Sequence, residues 1–298
     1  MELAQPTNDD IEELSFADRR AKCLDRAMIL STTLKVAEVS YVTTGERSKP
    51  ALVFVHAFPL CAAQWQVQMD YFSKDYFCVG LDLPGFGKSK LRAATYFSFE
   101  AYVEYFRAVL DELKLEKSTW VGLSMGGYLV LRALEVFPER ASSVVLCDTK
   151  SGADGNEAKT KRWDGIKSVI KNKEEFIEAQ AKALLGEKSR ADATIFKNYL
   201  GLAQVNSSEA IASGLVALLT RTDTTENLSK ITHSTLIVVG SEDKVTPPEE
   251  AKKLQTAIAS SRLVTIEGSG HLSNLEKSEN FNLELEKFLK SFNRSQPR

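Results

Sequence analysis

Short apolar segments alternate along most of the chain with segments whose apolar residues recur every three or four positions. The run Ala51–Val55 is short and continuously apolar, which predicts a strand that is buried on both faces. Residues 99–115 carry apolar side chains at Val103, Phe106 and Leu110, the spacing of one helix face. Because this alternation is typical of βαβ units, the pattern predicts an α/β protein with a mostly parallel sheet.

The same two patterns predict most elements of the chain. Strands are expected at residues 51–55, 76–81, 119–122, 143–147, 234–240 and 262–266. Helices are expected at residues 61–73, 99–115, 125–137 and 249–259, with a last helix through Leu285 and Phe288. Each predicted strand except the last is followed by a helical pattern that leads toward the next strand or into the helical region described below.

The region between residues 150 and 230 has helical spacing and no convincing strand pattern. Because the strand pattern returns at 234–240, we interpret this region as a helical insertion into one sheet rather than as a link between two sheets. The expected organisation is an N-terminal extension over residues 1–26, an α/β core formed by residues 27–149 and 231–298, and a helical cap over residues 150–230.

Length and charge restrict the class of protein. A chain of 298 residues would suggest two domains at ~150 residues each, but α/β architectures often continue past ~200 residues as one unit. The net charge of −2 supplies no basic field for nucleic acid or an anionic membrane surface, so neither partner is expected. No apolar run approaches the ~18 residues of a membrane span. The first 26 residues lack the apolar stretch of a secretory signal.

The four cysteines, at positions 23, 61, 78 and 147, form no C-x-x-C pair. Cys78 and Cys147 lie inside apolar strand-like runs, where a thiol behaves as a small hydrophobic side chain. This usage favours reduced cysteines and a cytoplasmic location.

The segment Gly122-Leu-Ser-Met-Gly126 is a G-x-S-x-G motif between a predicted strand and a predicted helix. This context is the one in which the motif forms a tight turn that presents a nucleophilic serine, here Ser124. A simple Gly/Ser turn is the alternative, but the strand on one side and the helix on the other favour the nucleophile.

A serine hydroxyl needs a base, and the chain has three histidines. His271 follows the last predicted strand, at the sheet edge where parallel sheets place their sites. His56 follows the first buried strand, and His233 precedes a strand. We therefore expect His271 to be the base, with His56 and His233 as the alternatives.

The base in turn needs a carboxylate that fixes its tautomer. Asp243 lies in the loop after the strand that ends at Gly240, far enough before His271 for one helix and one strand. Asp148 ends the strand that follows the predicted nucleophile helix, also at a carboxyl edge. Asp243 is the expected acid, and Asp148 remains the alternative.

Acyl transfer also requires donors for the oxyanion of the tetrahedral intermediate. The amide of Met125 stands at a helix N-terminus, where free N–H groups and the helix dipole favour negative charge. The second donor is expected in the loop after the first buried strand, at the amide of Phe58, because Pro59 has no N–H. His56 is expected to bond locally and stiffen that loop.

These motifs resemble the α/β-hydrolase superfamily. The resemblance rests on five segments that cover nearly the whole chain beyond the extension, namely His56-Ala-Phe-Pro59, Asp82-Leu-Pro-Gly-Phe-Gly-Lys-Ser89, Gly122-Leu-Ser-Met-Gly-Gly127, Gly240-Ser-Glu-Asp243 and Gly270-His271. The oxyanion segment is similar to that of the branch of small carboxylesterases, enol-lactonase-like proteins and cofactor-free haloperoxidases. One departure is Ala57, where that family usually has glycine, and a methyl group there is expected to affect the dihedral angles of the loop.

The resemblance implies an α/β-hydrolase fold with an eight-stranded, mostly parallel sheet, helices on both faces and a helical cap. It also implies a catalytic triad and hydrolysis of a carboxylic ester or lactone through an acyl-enzyme on Ser124. No cofactor or metal is expected, because no His/Cys/Asp cluster has the spacing of metal ligands. Dehalogenases and epoxide hydrolases of the superfamily carry aspartate at this position, so both are disfavoured.

Four alternatives use the same fold. One is a C–C bond hydrolase of a ring-cleavage dienone acid, two are a cofactor-free haloperoxidase and a perhydrolase, and the last is a non-catalytic receptor that binds its ligand in the same pocket. The expected partner is a small-molecule ester or lactone, whereas the sequence leaves the acyl length, the alcohol and the oligomeric state open.

Residues 159–173 hold six basic residues and one acid. Such a stretch would suit an acidic substrate or a carrier-protein thioester. The simpler interpretation is a solvated helix face that carries lysines such as Lys167. In that interpretation Trp163, Ile166 and Val169 face inward.

Overall fold

The computed structural model of the protein describes residues 28–33, 37–91 and 98–295. The expected extension over residues 1–26, which includes Cys23, lies outside the described residues. The described part contains one sheet of nine strands. They are β1 (Met28–Thr33), β2 (Ala37–Thr44), β3 (Ala51–Val55), β4 (Phe77–Leu81), β5 (Lys90–Leu91), β6 (Ser118–Leu123), β7 (Ala141–Cys147), β8 (Thr235–Gly240) and β9 (Ser261–Ile266).

The strands lie in the order β1-β2-β4-β3-β6-β7-β8-β9, and β5 pairs with β2 beside this row. All neighbours from β4 to β9 along the row are parallel, whereas β2 is antiparallel to β1, β4 and β5. The predicted mostly parallel α/β-hydrolase sheet is therefore confirmed. The expected number of eight strands is one too low, because β5 has two residues and is too short to leave a hydrophobic pattern.

Helices connect the parallel strands and fill the region between β7 and β8. Those in the described part are α1 (Gln66–Phe72), α2 (Phe99–Glu112), α3 (Met125–Val136), α4 (Asn156–Lys171), α5 (Lys173–Leu184), α6 (Glu187–Ala191), α7 (Ala193–Gln204), α8 (Ser208–Leu219), α9 (Pro248–Ala257), α10 (Ser273–Glu276) and α11 (Ser278–Ser295). Single 3₁₀ turns lie at Ala62–Trp65, Pro138–Arg140 and Thr225–Lys230.

The central strands are continuously apolar because helices cover both faces of the sheet. Every residue of β3, β4, β6 and β8 is buried. Strands of this kind bury side chains on both sides and therefore do not alternate between apolar and polar residues. Trp120 of β6, for example, packs edge-on against Phe106 of α2, with ring centroids 5.0 Å apart. The six strands predicted from the sequence are all present, although β9, at the end of the row, is only partly buried.

The region between β7 and β8 consists of helices α4 to α8 and one 3₁₀ turn, and it contains no strand. In α4, Ile166 and Val169 are buried as predicted, and the side chain of Lys167 is 62% exposed. The prediction for Trp163 is wrong, since this residue is 55% exposed. Trp163 lies on the same side of the helix as Ile170, which is seven residues later in the chain and 67% exposed. The buried face of α4 is narrow, and both residues lie at its edge.

Candidate active site

Ser124 stands in a strained turn between β6 and α3. Its backbone has φ 53° and ψ −112°, a conformation that is costly for a residue with a side chain. The two glycines of the motif make the turn possible. A Cβ on Gly122 would collide with the carbonyl oxygen of Gly126, and a Cβ on Gly126 would collide with the carbonyl oxygen of Val55. The turn therefore places the Ser124 hydroxyl above the carboxyl edge of the sheet.

Three predicted site residues form one continuous line of hydrogen bonds. His271 Nε2 lies 2.8 Å from Ser124 Oγ, and His271 Nδ1 lies 2.8 Å from Asp243 Oδ2. Asp243 follows β8 and His271 follows β9, so the two neighbouring parallel strands bring them to the same edge as Ser124. His271 is almost fully buried, at 1% exposed.

Asp243 is held by its own loop. Its Oδ1 accepts from the amides of Val245 at 2.8 Å and Thr246 at 2.9 Å, and its Oδ2 accepts from the Thr246 hydroxyl at 2.8 Å. Burial alone would raise the pKa of the Asp243 carboxyl, but the charge of His271 and these hydrogen bonds hold it below its usual value. The loop therefore presents an ionised carboxylate to the imidazole.

The pairing of His271 with Asp243 also determines the direction in which the pKa of His271 is shifted. Burial lowers the pKa of the imidazole, yet the charge of Asp243 and its hydrogen bond, with smaller contributions from Asp148 and Glu276, raise it above 6.5 overall. Because Asp243 accepts at Nδ1, the neutral imidazole carries its proton on Nδ1 and leaves Nε2 free to accept from Ser124. The geometry is that of a base oriented by a carboxylate.

Asp148, the alternative acid, has no hydrogen bond to His271 in the described part of the chain. Its Oδ1 accepts from the amide of Gly240 at 2.8 Å, and its Oδ2 pairs with the Ser273 hydroxyl at 2.6 Å and the Ser273 amide at 3.2 Å. Burial, followed by the nearby charge of Asp243, raises the pKa of Asp148 to about 8. Asp148 thus joins the end of β8 to the start of α10, behind the site.

The other two histidines are bound elsewhere. His56 is buried and donates from Nδ1 to the carbonyl oxygen of Ala57 at 2.9 Å, while its Nε2 accepts from the amide of Leu83 at 3.0 Å. Burial lowers the pKa of His56 to about 4, so it remains neutral. His233 lies just before β8, at the opposite edge of the sheet, where its Nε2 contacts the Pro138 carbonyl oxygen at 3.0 Å.

The two predicted oxyanion donors belong to the start of α3 and to the loop after β3. Met125 is the first residue of α3, so its amide has no acceptor inside the helix. Phe58 lies in the loop of residues 56–60 after β3, which we call the oxyanion loop. Within the described residues the Phe58 amide makes no hydrogen bond, whereas the Ala57 amide donates to Gln64 Oε1 at 2.9 Å. Ala57 lies outside the left-handed region, so its methyl group introduces no backbone strain.

Sequence reasoning missed Asn206, which follows α7 in the helical insertion. The buried side chain donates from Nδ2 to the carbonyl oxygens of Pro59 at 2.7 Å and Leu60 at 3.3 Å, and its Oδ1 accepts from the amide of Gly87 at 2.8 Å. It therefore ties the insertion to the oxyanion loop. No local pattern reveals such a role, because the partners lie more than a hundred residues away in the chain.

Tyr128 was also missed, although it lies four residues after Ser124 and hence one turn along the same helix face. The guanidinium carbon of Arg221 lies 3.9 Å from the centroid of the Tyr128 ring, and Arg221 also pairs with Asp154 at 3.2 Å. Burial raises the pKa of Tyr128, while the charges of Arg221 and Arg162 and a hydrogen bond with Ser124 act against that rise. A buried polar cluster therefore lies beside the nucleophile.

Two further features concern metals and membranes. Among the described residues, no group of three or more His, Cys, Asp or Glu side chains is arranged to hold a metal ion. In the same residues, no single helix is long and apolar enough to cross a membrane, and α7 and α8 meet the length and composition requirement only as a pair bent by 90°.

Comparison with known proteins gives the family. Residues 50–278 match the model described as alpha/beta hydrolase fold. The chain is 29% identical over 265 residues to 3-oxoadipate enol-lactonase 2 of Acinetobacter baylyi, which covers 88% of this chain and 96% of that protein. It is 27% identical over 260 residues to the pimeloyl-(acyl-carrier protein) methyl ester esterase of Aliivibrio salmonicida, covering 83% and 94%.

A solved structure agrees in fold. The thermophilic esterase from Thermogutta terrifontis superposes with a TM-score of 0.82 at 26% identity, and the match covers 89% of this chain and 98% of that chain. The matched family model spans well over half of this chain and includes Ser124, Asp243 and His271. The chain therefore belongs to the α/β-hydrolase family.

Proposed function

We propose that this protein is a serine hydrolase that cleaves a carboxylic ester or lactone through an acyl-enzyme on Ser124. The observation that carries the proposal is the unbroken line from Ser124 Oγ through His271 to Asp243, with 2.8 Å at each step. Nucleophile, base and orienting carboxylate in this arrangement are the requirements of acyl transfer on serine.

In the acylation step, His271 Nε2 takes the proton of Ser124 Oγ while Oγ bonds to the carbonyl carbon of the substrate. The negative charge that develops on the carbonyl oxygen is placed between the amides of Met125 and Phe58. As the tetrahedral intermediate collapses, the C–O bond breaks and the leaving alkoxide takes the proton from Nε2. Asp243 stabilises the imidazolium between these two transfers.

Deacylation repeats the sequence with water. His271 Nε2 accepts a proton from the water molecule while its oxygen attacks the acyl carbon, and the amides of Met125 and Phe58 again hold the oxyanion. The bond between the acyl carbon and Ser124 Oγ then breaks, Oγ takes the proton back, and the carboxylic acid leaves. Bond changes and protons balance with no cofactor or metal.

We assign residues 150–230 as a cap over this site and residues 27–149 with 231–298 as the catalytic core. Two contacts between the insertion and the oxyanion loop support the assignment. The rings of Phe176 and Phe58 meet edge-on with centroids 6.5 Å apart, and Asn206 is bonded to the carbonyl oxygens of that loop. Side chains of the insertion therefore limit the space that is available to an acyl or alcohol group.

The substrate class also draws support from the relatives. One is named as an enol-lactonase, one as a methyl ester esterase, and the solved structure reported above is named as an esterase. Short-chain p-nitrophenyl esters and simple lactones should therefore be turned over. A ring-cleavage dienone acid that is processed far faster than any ester would instead favour the C–C bond hydrolase.

The decisive experiment is covalent labelling. A fluorophosphonate should modify the protein once, at Ser124, and peptide mass spectrometry should find the adduct there, because this hydroxyl has both a base and oxyanion donors. Ser124→Ala should lose the adduct and reduce ester turnover by several orders of magnitude.

A pair of histidine variants provides the matched control. His271→Ala should lose turnover in the same way, whereas His233→Ala, at the other edge of the sheet, should retain it. Absence of labelling together with tight binding of an ester would support the receptor alternative.

A further inference from the structure

Glu276, at the end of the short helix α10, is buried and makes three hydrogen bonds to backbone amides. Its Oε2 accepts from Gly270 at 3.1 Å and from Gly186 at 2.8 Å, and its Oε1 accepts from Leu272 at 3.1 Å. Gly270 and Leu272 are the two neighbours of His271 in the chain. A single carboxylate therefore binds the backbone on both sides of the catalytic imidazole.

The third amide belongs to the cap. Gly186 lies in the turn between α5 and α6, and the same turn supplies the carbonyl oxygen of Leu184, which accepts from the His271 amide at 2.7 Å. The approach is so close that a Cβ on Gly270 would collide with the backbone of Leu184 and Gly186. The cap turn and the histidine loop are thus joined by direct backbone contact and by Glu276.

The Glu276 carboxylate is held by backbone amides and not by a cation. Among the described residues, no Lys, Arg or His forms an ion pair with it. The three N–H donors form charge-assisted hydrogen bonds to the one carboxylate. A net negative charge therefore remains beside His271.

We propose that Glu276 is a positioning residue for His271, which holds the imidazole at its distance from Ser124 by fixing both flanking amides and the cap turn. The inference rests on the proposed function, since it assigns to Glu276 the support of the base in that reaction. Displacement of a catalytic group by ~1 Å can cost ~10²-fold in rate, so this support is kinetically significant.

The charge of Glu276 also acts on His271, which gives a readout that a purely structural role would not move. The charged groups that act on the imidazole from the surrounding elements are Asp243 after β8, Asp148 after β7 and Glu276 in α10, and each raises the pKa of His271. From the cap, the contact is the backbone carbonyl of Leu184. Removal of the Glu276 charge should therefore lower the pKa of His271.

The test is Glu276→Gln, which keeps the shape of the side chain but places an NH₂ where an acceptor is needed. We expect kcat for a p-nitrophenyl ester to fall ~10-fold or more with KM nearly unchanged. The acid limb of kcat/KM should move to lower pH, because the charge that helps to raise the pKa of His271 is removed. A kcat within twofold of the wild type together with an unmoved acid limb would overturn the proposal.

Glu242→Gln is the matched control. The Glu242 carboxylate accepts from the Glu187 amide at 2.7 Å, in the same cap turn, but it does not bond to the residues beside His271. This variant should keep kcat and the acid limb of the wild type. Equal losses in both variants would mean that only the cap turn matters, which contradicts a specific role of Glu276.

A measurement without substrate separates this proposal from the proposed function. The NMR titration of the His271 imidazole should give a lower pKa in Glu276→Gln than in the wild type, and the same value as the wild type in Glu242→Gln. If the wild-type protein turned over no ester or lactone, the proposed function would fail while this titration still measured the effect of Glu276.

Should Glu276→Gln not fold, Glu276→Asp decides the question, because it keeps the charge but shortens the reach to the three amides. A folded Glu276→Asp variant with reduced kcat supports the positioning role, and one with unchanged kcat overturns it. Circular dichroism and the midpoint of thermal unfolding establish whether each variant is folded.

Discussion

Replacement of Asp243 by asparagine is the sharpest test of how the candidate base is oriented. In the native loop, Asp243 Oδ1 accepts from the amides of Val245 and Thr246, and Oδ2 accepts from His271 Nδ1. An asparagine would keep its oxygen on the two amides, so its NH₂ would face the imidazole. That NH₂ donates, so Nδ1 must become the acceptor and the ring proton must move to Nε2.

With its proton on Nε2, the imidazole of His271 donates toward Ser124 and cannot take the proton of the hydroxyl. The corresponding change in serine proteases lowers kcat by ~10⁴, which corresponds to ~5.4 kcal/mol of transition-state stabilisation. We expect a loss of this size in Asp243→Asn. The fold should persist, because the side chain keeps its size and its two amide partners.

Asp148→Asn is the matched comparison. In Asp148→Asn the orientation of His271 should persist, because within the described residues the Asp148 side chain bonds to Gly240 and Ser273 and not to the imidazole. The side chain loses an acceptor for the Ser273 amide or hydroxyl, so stability should fall by ~1–3 kcal/mol while kcat changes little.

Steady-state hydrolysis of p-nitrophenyl acetate and urea unfolding of both variants provide the assay. A loss of ~10⁴ in kcat for Asp148→Asn, with Asp243→Asn near the wild type, would refute the reasoning and assign the acid to the earlier strand. Ser124 and His271 would retain their proposed roles in that case.

The pH profile, the oxyanion loop and the nucleophile turn each give a further prediction. Because protonated His271 is inactive and its pKa is raised, kcat/KM for a neutral ester should decline below a midpoint above pH 6.5, and a lower midpoint in the wild type would contradict this. Asn206→Ala removes the buried partner of two loop carbonyls, so urea unfolding should show a loss of ~1–3 kcal/mol together with a reduced kcat. Gly126→Ala should abolish folded yield and turnover, whereas Gly155→Ala, where a Cβ meets nothing within 4 Å, should retain both.

The central strands could be predicted because both faces of the sheet are covered, which forces short apolar runs. The strands that sequence reasoning missed have weaker patterns for physical reasons. Ala37–Thr44 mixes polar and apolar residues, so its sequence carries no clear strand pattern. It lies near the edge of the sheet, where hydrogen bonds to Met28–Thr33 and Lys90–Leu91 hold it as a strand. Such strands depend on partners and not on their own pattern.

The site residues were predictable for a different reason. Ser124, Asp243 and His271 each follow a strand directly, and parallel strands bring their carboxyl ends to one edge, so their meeting follows from topology. Their catalytic roles stay a proposal until the variants are measured. Glu276 and Asn206 had no such signal, because each bonds to a residue far away in the chain, Gly186 at 90 residues and Pro59 at 147 residues, across the junction with the helical insertion.

The location of the protein also stays a prediction. Cys78 and Cys147 are buried in strands, and burial raises the pKa of Cys78 to about 12, so this thiol is inert as expected for a small hydrophobic side chain. The prediction of a cytoplasmic location rests on this usage of cysteine.

The helical insertion contacts the candidate site in two places, and the contacts differ in kind. At the base, the carbonyl of Leu184 and the amide of Gly186 bind the loop of His271 through the backbone, so most substitutions in that turn leave these groups in place. At the oxyanion loop, the contact is the side chain of Asn206, which a single substitution removes. On the proposed function, we therefore expect variation of the insertion sequence to alter substrate fit while His271 stays supported, provided that Asn206 and the close approach at Gly270 are kept.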